Sequence, residues 1–186
     1  MRLFLAIPLP DELQAAIARH AETLRASLPR ATWARPGAMH LTLRFLGERE
    51  SGHASAIAEA LAAPVAMVPS FDLRVGRVGA FPARYRPKVI WLSVEGSDDL
   101  AFLHDRVAAS LFALGEPLED RPFHAHVTLL RCRSRYRRDD FEQIETELEP
   151  LSGAPIPARE LILFQSHLGP GGARHEAVAR FPLGSS

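Results

Sequence analysis

Cysteine is nearly missing: Cys132 is the only one in 186 residues. No internal disulfide can form, so the chain is not a disulfide scaffold and nothing in it points to secretion. Lysine is equally scarce, with Lys88 standing against 21 arginines. A codon bias toward G and C explains that ratio, and the abundance of alanine, better than a choice of Arg for phosphate at every position. Net charge is zero, from 22 basic and 22 acidic residues. That excludes a protein that coats long nucleic acid by bulk electrostatics and leaves only local basic patches. No apolar run is long enough to span a membrane. The opening MRLFLAIPLP is apolar, but it carries one Arg, is cut by Pro8 and lacks a small-residue cleavage site. It reads as a first strand and not as a signal peptide, which makes the cytoplasm the expected compartment.

What remains is the composition of a globule, 47% hydrophobic and 24% charged. It suits one domain, or two small lobes around a shared core. RLFLAI (Arg2 to Ile7) fits a buried strand. Pro10, Asp11 and Glu12 open a helix whose Leu13, Ile17, Leu24 and Leu28 share one face, with Pro29 as the stop. The strand HLTLRFLG follows, then a helix over Ser51 to Ala63 and the strand FDLRV. The second half runs in the same order. KVIWLSV is a strand, punctuated by Gly96 to Asp98, and Leu100, Leu103, Val107, Leu111 and Leu114 form a helical stripe. HVTLLR is the next strand, Asp139 to Glu149 an acidic helix, ELILFQS a strand, and a last strand near His175 to Leu183 follows the loop GPGG. Leu3 is separated from His40 by the same 37 residues as Val89 from His126. Two matching strand–helix–strand–helix–strand units, roughly 1–80 and 85–183, predict an α+β fold. It has two pseudo-symmetric lobes, each an antiparallel sheet with helices on its outer face, around a central cleft within a single domain 1–186.

Each unit carries His-x-Thr on a strand: His40 and Thr42, then His126 and Thr128. Alternation puts each pair on one face, opposite Leu41, Leu43 and Phe45 or Val127 and Leu129. A chain with eight His and five Thr contains about 0.2 such motifs by accident, so two at equivalent points of a repeat call for a function. Histidine titrates near neutrality and can give or take a proton; a threonine hydroxyl can donate to phosphate oxygens. Two imidazoles flanking a phosphodiester could act as acid and base without a metal, and the spacing alone does not order them.

These segments resemble the two-histidine phosphoesterase superfamily, most closely the bacterial and archaeal RNA 2′,3′-cyclic phosphodiesterases long called 2′-5′ RNA ligases. RLFLAIPLP, HLTLRFLG, PKVIWLSV, RPFHAHVTLLR, LILFQSHLGPGG and FPL carry the resemblance. Two positions depart from it: Ala125 stands where Pro is frequent, and His175 where an aromatic, usually Tyr, is common. The resemblance implies ring-opening of RNA 2′,3′-cyclic phosphate ends, tRNA-derived fragments among the candidates, to give a 2′-phosphate. It assigns His40 as proton donor, His126 as proton acceptor and Arg131 to the phosphate, and the reverse reaction would be 2′-5′ ligation. No cofactor and no metal are expected, and the protein is expected to be a monomer acting away from membranes.

Strict alternation places Arg131 opposite His126, so the strand must bulge near its end. Phe45, His124 and Tyr136 complete the expected substrate side. The five arginines of RCRSRYRR, with Arg74, Arg77, Arg84, Arg86 and Lys88, form either a solvated surface or an RNA-backbone track on which Tyr136 or Phe81 could stack bases. Other readings compete. His124 and His126 have metal-site spacing but no third ligand cluster. The four intact central residues argue against a binding module that kept the fold without catalysis, whereas a phosphodiesterase for another cyclic phosphate or a 2′-5′ oligonucleotide would look the same there. His20 and His104 read as structural, His53, His167 and His175 as surface or loop residues, and Cys132 as inert.

Overall fold

The computed structural model describes residues 1–96, 98–169 and 172–185. Ser97, within the expected Gly96–Asp98 punctuation, and Pro170–Gly171, the tip of the expected GPGG loop, lie outside the described residues. The chain runs β1 (Arg2–Pro8), α1 (Asp11–Arg25), β2 (Ala31–Trp33), β3 (His40–Glu48), α2 (Ser51–Ala66), β4 (Phe71–Phe81) and β5 (Val89–Glu95). It continues with α3 (Asp98–Ala113), β6 (His126–Cys132), α4 (Arg138–Leu148), β7 (Pro155–Ala158), β8 (Glu160–Gly169) and β9 (Gly172–Pro182). Short β2 and β7 were not legible as strands, since three or four residues show no periodicity. Among the described residues, no helix is long and apolar enough to cross a membrane.

Local chemistry accounts for the helices. Asp11 and Glu12 sit in the first turn of α1, where the helix dipole favours acids, and Leu13, Ile17, Ala21 and Leu24 bury one stripe. In α3 the stripe is Leu100, Leu103, Val107 and Leu111. Both stripes join a hydrophobic cluster with Leu41 and Leu43 of β3 and with Val127 and Leu129 of β6. Each fully buried Leu contributes about 1.5–3 kcal/mol. This pins the strand register, because a slip of one residue would drive both histidines into the core.

All strand pairs are antiparallel, in the order β7-β4-β5-β6-β3-β1-β8-β9, with β2 on β6. The expected α+β class and antiparallel sheets are present, but the sequence units exchange their last strands. β4, from the first unit, pairs with β5, while β8, from the second, pairs with β1. The cause is connection length: β4 and β5 are joined by a loop of seven residues, Pro82 to Lys88, with no helix in it, and close as a hairpin, as sequential strands usually do. The two groups of strands meet at the β3–β6 seam through one ladder pair, Leu41↔Val127.

Candidate active site

The seam sets the site. Extending the Leu41↔Val127 register by one residue each way puts His40 opposite Thr128 and Thr42 opposite His126. The four side chains share the face away from the helices and make a square with the histidines on one diagonal. Diagonal neighbours across such a ladder lie about 7–8 Å apart, room for a phosphate between two imidazoles.

Both imidazoles are held alike. Nδ1–H of His40 donates to the carbonyl of Ala38 at 2.9 Å, and Nδ1–H of His126 to the carbonyl of His124 at 2.7 Å. A carbonyl only accepts, so Nδ1 carries the proton and Nε2 is left for chemistry in both rings. Rings then pack around them. His40 has Phe4 at 4.7 Å, His175 edge-on at 5.1 Å and Phe164 at 6.2 Å. His126 has Phe81 edge-on at 5.2 Å and Trp91 at 5.8 Å. Burial, helped by the charges His175 and His126 can carry, pushes His40 down to about 4. His126 is also lowered, by burial first and then by the neighbouring His124 and Arg131. Burial likewise lowers His175.

A bulge occurs in each His-x-Thr strand at the same point. On β6, Thr128 pairs with Trp91 and Leu130 with Ile90, leaving Leu129 unpaired, so Arg131 turns onto the histidine face. On β3, Thr42 pairs with Ala6 and Arg44 with Leu5, leaving Leu43 unpaired. Phe45, which alternation had assigned to the apolar face, is thereby delivered to the cleft, 62% exposed and 6.0 Å from Phe4. Phe45 and Arg131 occupy equivalent places in the two halves.

A cleft of about 1150 Å³ is lined by His40, Thr42, Phe45, Thr128, Arg131 and His175, and by five further arginines, Arg2, Arg25, Arg30, Arg35 and Arg133. Among the described residues no acidic side chain lines it. The basic patch that the neutral composition allowed is therefore concentrated here.

Two expectations need correction. Tyr136 presents no face for stacking: it is 3% exposed, its hydroxyl donates to the carbonyl of Pro29 at 2.9 Å, and burial raises its phenol. It ties the segment between β6 and α4 to the connection between α1 and β2. His175 is not a peripheral residue; it touches His40. Its signal was hidden because β9 reaches the site only through pairing with β8, beside β1. Phe4 and Trp91 were missed for a related reason, since each lies in an apolar run that reads as wholly buried.

The remaining residues divide clearly. His124 is exposed, lies 6.1 Å from Phe81, and serves His126 through its carbonyl. Among the described residues no group of three His, Cys, Asp or Glu is placed to hold a metal ion, so His124 and His126 stand as a pair. Burial pushes the Cys132 thiol up to about 11, where it is a poor nucleophile. His20 is bonded to Glu147, His104 stacks on Phe123, and His53 joins a buried cluster with Glu116.

Trp91 owes its position to Gly79 on the neighbouring strand. A Cβ at Gly79 would stand 2.1 Å from the indole. Gly79→Ala is therefore expected to displace Trp91 from His126, costing about 1–3 kcal/mol of stability and lowering turnover on the order of 10- to 100-fold. Thermal melts and steady-state kinetics would read the two effects; unchanged turnover would show that His126 does not need the indole.

A family model described as the 2′-5′ RNA ligase superfamily matches residues 9–169. The chain belongs to that superfamily. Its relatives include proteins named RNA 2′,3′-cyclic phosphodiesterase. One from Geobacillus stearothermophilus is 30% identical over 180 residues, 97% of this chain, and the chain spans 56% of that relative's length. Another, from Thermotoga maritima, is 33% identical over 180 residues, covering 96% of this chain and 93% of the relative. Among solved structures, a Thermus thermophilus protein matches with a TM-score of 0.79 at 26% identity, over 98% of this chain and 97% of that one. Escherichia coli LigT complexed with 3′-AMP matches with a TM-score of 0.75 at 25% identity, over 98% and 97%.

Proposed function

We propose that this superfamily member hydrolyses RNA ends bearing a 2′,3′-cyclic phosphate to the 2′-phosphate, with no metal. The observation that carries the reading is the diagonal square of His40, Thr42, His126 and Thr128, with both Nε2 atoms free. In it His126 takes a proton from water as the oxygen attacks phosphorus, and His40 protonates the 3′ oxygen as the P–O3′ bond breaks. Thr42 and Thr128 donate to the non-bridging oxygens, and Arg131 neutralises the phosphate charge. With a 5′-hydroxyl RNA end in place of water, the same ring opening joins that oxygen to phosphorus as the P–O3′ bond breaks and so forms a 2′-5′ bond.

His40, held at about 4, is neutral near pH 7 in the free protein. A donor needs a second proton, and the bound phosphate anion supplies the reason for it to arrive, since an opposite charge nearby favours the charged imidazole. Binding of sulfate, an anion that does not itself titrate near neutrality, is thus expected to take up about one proton at pH 7. Titration calorimetry in buffers of different ionisation enthalpy measures it; zero uptake would remove His40 as donor.

The matching bulges and the shared hydrophobic cluster support reading residues 1–80 and 85–183 as the two repeats of one bilobal domain; on the proposed reading it acts as a monomer in the cytoplasm. tRNA-derived ends are within its substrate class. The test of the activity is hydrolysis of a short RNA ending in a 2′,3′-cyclic phosphate, with EDTA present and products resolved. Turnover to a 2′-phosphate is expected. A 3′-phosphate product would reverse the assigned geometry, and loss of turnover with EDTA would restore the His124/His126 metal reading.

A further inference from the structure

Beyond the catalytic cleft, the segment joining β6 to α4 borders a second concavity of about 540 Å³, lined by Tyr85, Arg135, Tyr136, Arg137 and Arg138. Tyr85 stands on the turn between β4 and β5 and is 86% exposed, the reverse of buried Tyr136. An exposed tyrosine costs apolar hydration and adds nothing to the core. Beside guanidinium groups it has the make-up of a platform for a nucleobase.

The concavity and the cleft lie on either side of one rigid segment. The amide of Arg133 donates to the carbonyl of Arg30 at 2.9 Å, the Ser134 hydroxyl to the same carbonyl at 3.3 Å, and the Tyr136 hydroxyl to that of Pro29 at 2.9 Å. Pro29, Arg30 and Arg133 line the cleft, while Arg135 and Tyr136 line the concavity. Arg131 and Arg135 are four residues apart, at most about 14 Å along an extended chain. A few nucleotides bridge that distance.

Charge points the same way. Among the described residues no carboxylate ion-pairs with Arg131, Arg133, Arg135 or Arg137, although the protein has as many acids as bases. Arg138 pairs with Glu142 on the surface of α4. The carboxylate of Asp140 accepts from the backbone amide of Arg137 at 2.6 Å and forms no ion pair with its guanidinium among the described residues. Arg133 donates to the Thr32 hydroxyl at 2.8 Å, and arginines without a carboxylate partner at alternate positions of a pinned segment suit the repeating phosphates of a strand.

We propose that this concavity is a second RNA subsite, in which Arg135 and Arg137 hold phosphodiesters upstream of the cyclic end and Tyr85 stacks one upstream base. The inference rests on the proposed RNA phosphodiesterase reading and names its substrate more narrowly: single-stranded ends several nucleotides long, in preference to mononucleotide cyclic phosphates.

The test compares kcat/KM for a nucleoside 2′,3′-cyclic monophosphate with a dinucleotide and a hexanucleotide bearing the same end. Wild type, Tyr85→Ala and Arg135→Ala/Arg137→Ala are assayed, none of these residues belonging to the catalytic centre. Wild type is expected to favour the hexanucleotide. Each variant should lose about tenfold on it while keeping the mononucleotide rate. The double variant should also flatten the salt dependence of hexanucleotide binding by roughly one to two phosphate contacts. Wild-type turnover that is independent of length, or variants that lose equally on the mononucleotide, would overturn the subsite and leave the phosphodiesterase reading standing. Anisotropy of a labelled hexanucleotide ending in a 3′-hydroxyl reads the subsite without turnover. If wild type hydrolysed no cyclic phosphate, weaker binding by the variants would still support the subsite, and unchanged binding would refute it.

Discussion

Alanine at His40 or at His126 is expected to lower kcat for a 2′,3′-cyclic phosphate about 10²- to 10⁴-fold. In the proposed mechanism each removes one of the two proton transfers, and the double variant should fall little below the worse single one, because acid and base would act as a unit. Thr42→Ala and Thr128→Ala each remove one hydroxyl donor and should cost less than either histidine. The folded state gives an independent check on His40→Ala. The ordinary imidazole titrates near 6.5 and the folded one near 4. Between those values the unfolded chain binds a proton that the folded chain does not, so stability falls as pH drops from 6.5 toward 4. The slope is at most about 1.4 kcal/mol per pH unit. Removing the imidazole removes that slope. Denaturant melts of His40→Ala at pH 7 and pH 5 should therefore differ less than those of wild type. A variant that kept turnover within threefold of wild type would sink the two-histidine mechanism, whatever its melts showed.

Breaking the Arg49–Glu116 pair should give the largest loss of stability. Glu116 is 5% exposed, and its carboxylate accepts from Arg49 Nε at 2.8 Å and Nη2 at 2.5 Å, with His53 Nε2 on Oε1 at 2.8 Å. The guanidinium holds this carboxyl down to about 2, against burial, with His53 helping. Arg44, buried on the bulged β3, reaches the carbonyl of Pro117 and the carboxylate of Glu119. Together these bonds pin the segment after α3 that leads into the His126 strand. Arg49→Leu leaves a buried carboxylate without its main partner, at a cost of about 3–5 kcal/mol. That is a melting-temperature loss of roughly 6–20 °C. The double variant Arg49→Leu/Glu116→Leu should recover much of it, since an apolar pair leaves no charge buried. In wild type the pair's contribution is complete above the ordinary glutamate range near 4.5. It is lost as pH falls toward 2, where the unfolded carboxylate is protonated first. A loss below about 1 kcal/mol on Arg49→Leu would show that the carboxylate relaxes into solvent.

Much of the candidate site could be read from residues a few places apart. A two-residue period puts His40 with Thr42 and His126 with Thr128 however the rest of the chain folds. The need to bring Arg131 to the same face required a bulge, and the bulge lies between Thr128 and Leu130. The same reasoning applied to HLTLRFLG would have moved Phe45 as well, had the two strands been aligned residue by residue. Tyr136 misled because polar neighbours in RCRSRYRR say nothing about a backbone carbonyl more than a hundred residues away that its hydroxyl meets.

By itself, then, the sequence determined the helical stripes and the two His-x-Thr faces, which follow from local spacing, and its segments carried the resemblance to the family. Tertiary structure decided what depends on pairing between distant segments. The exchange of β4 and β8 between the units is one such outcome. The single β3–β6 ladder pair, which sets the histidines on a diagonal, is another, as are the rings of Phe4, Trp91 and His175 packed against them. Side-chain periodicity tells a strand which face to bury. Which strand lies beside it is decided by connection length, loop closure and the burial of the whole core.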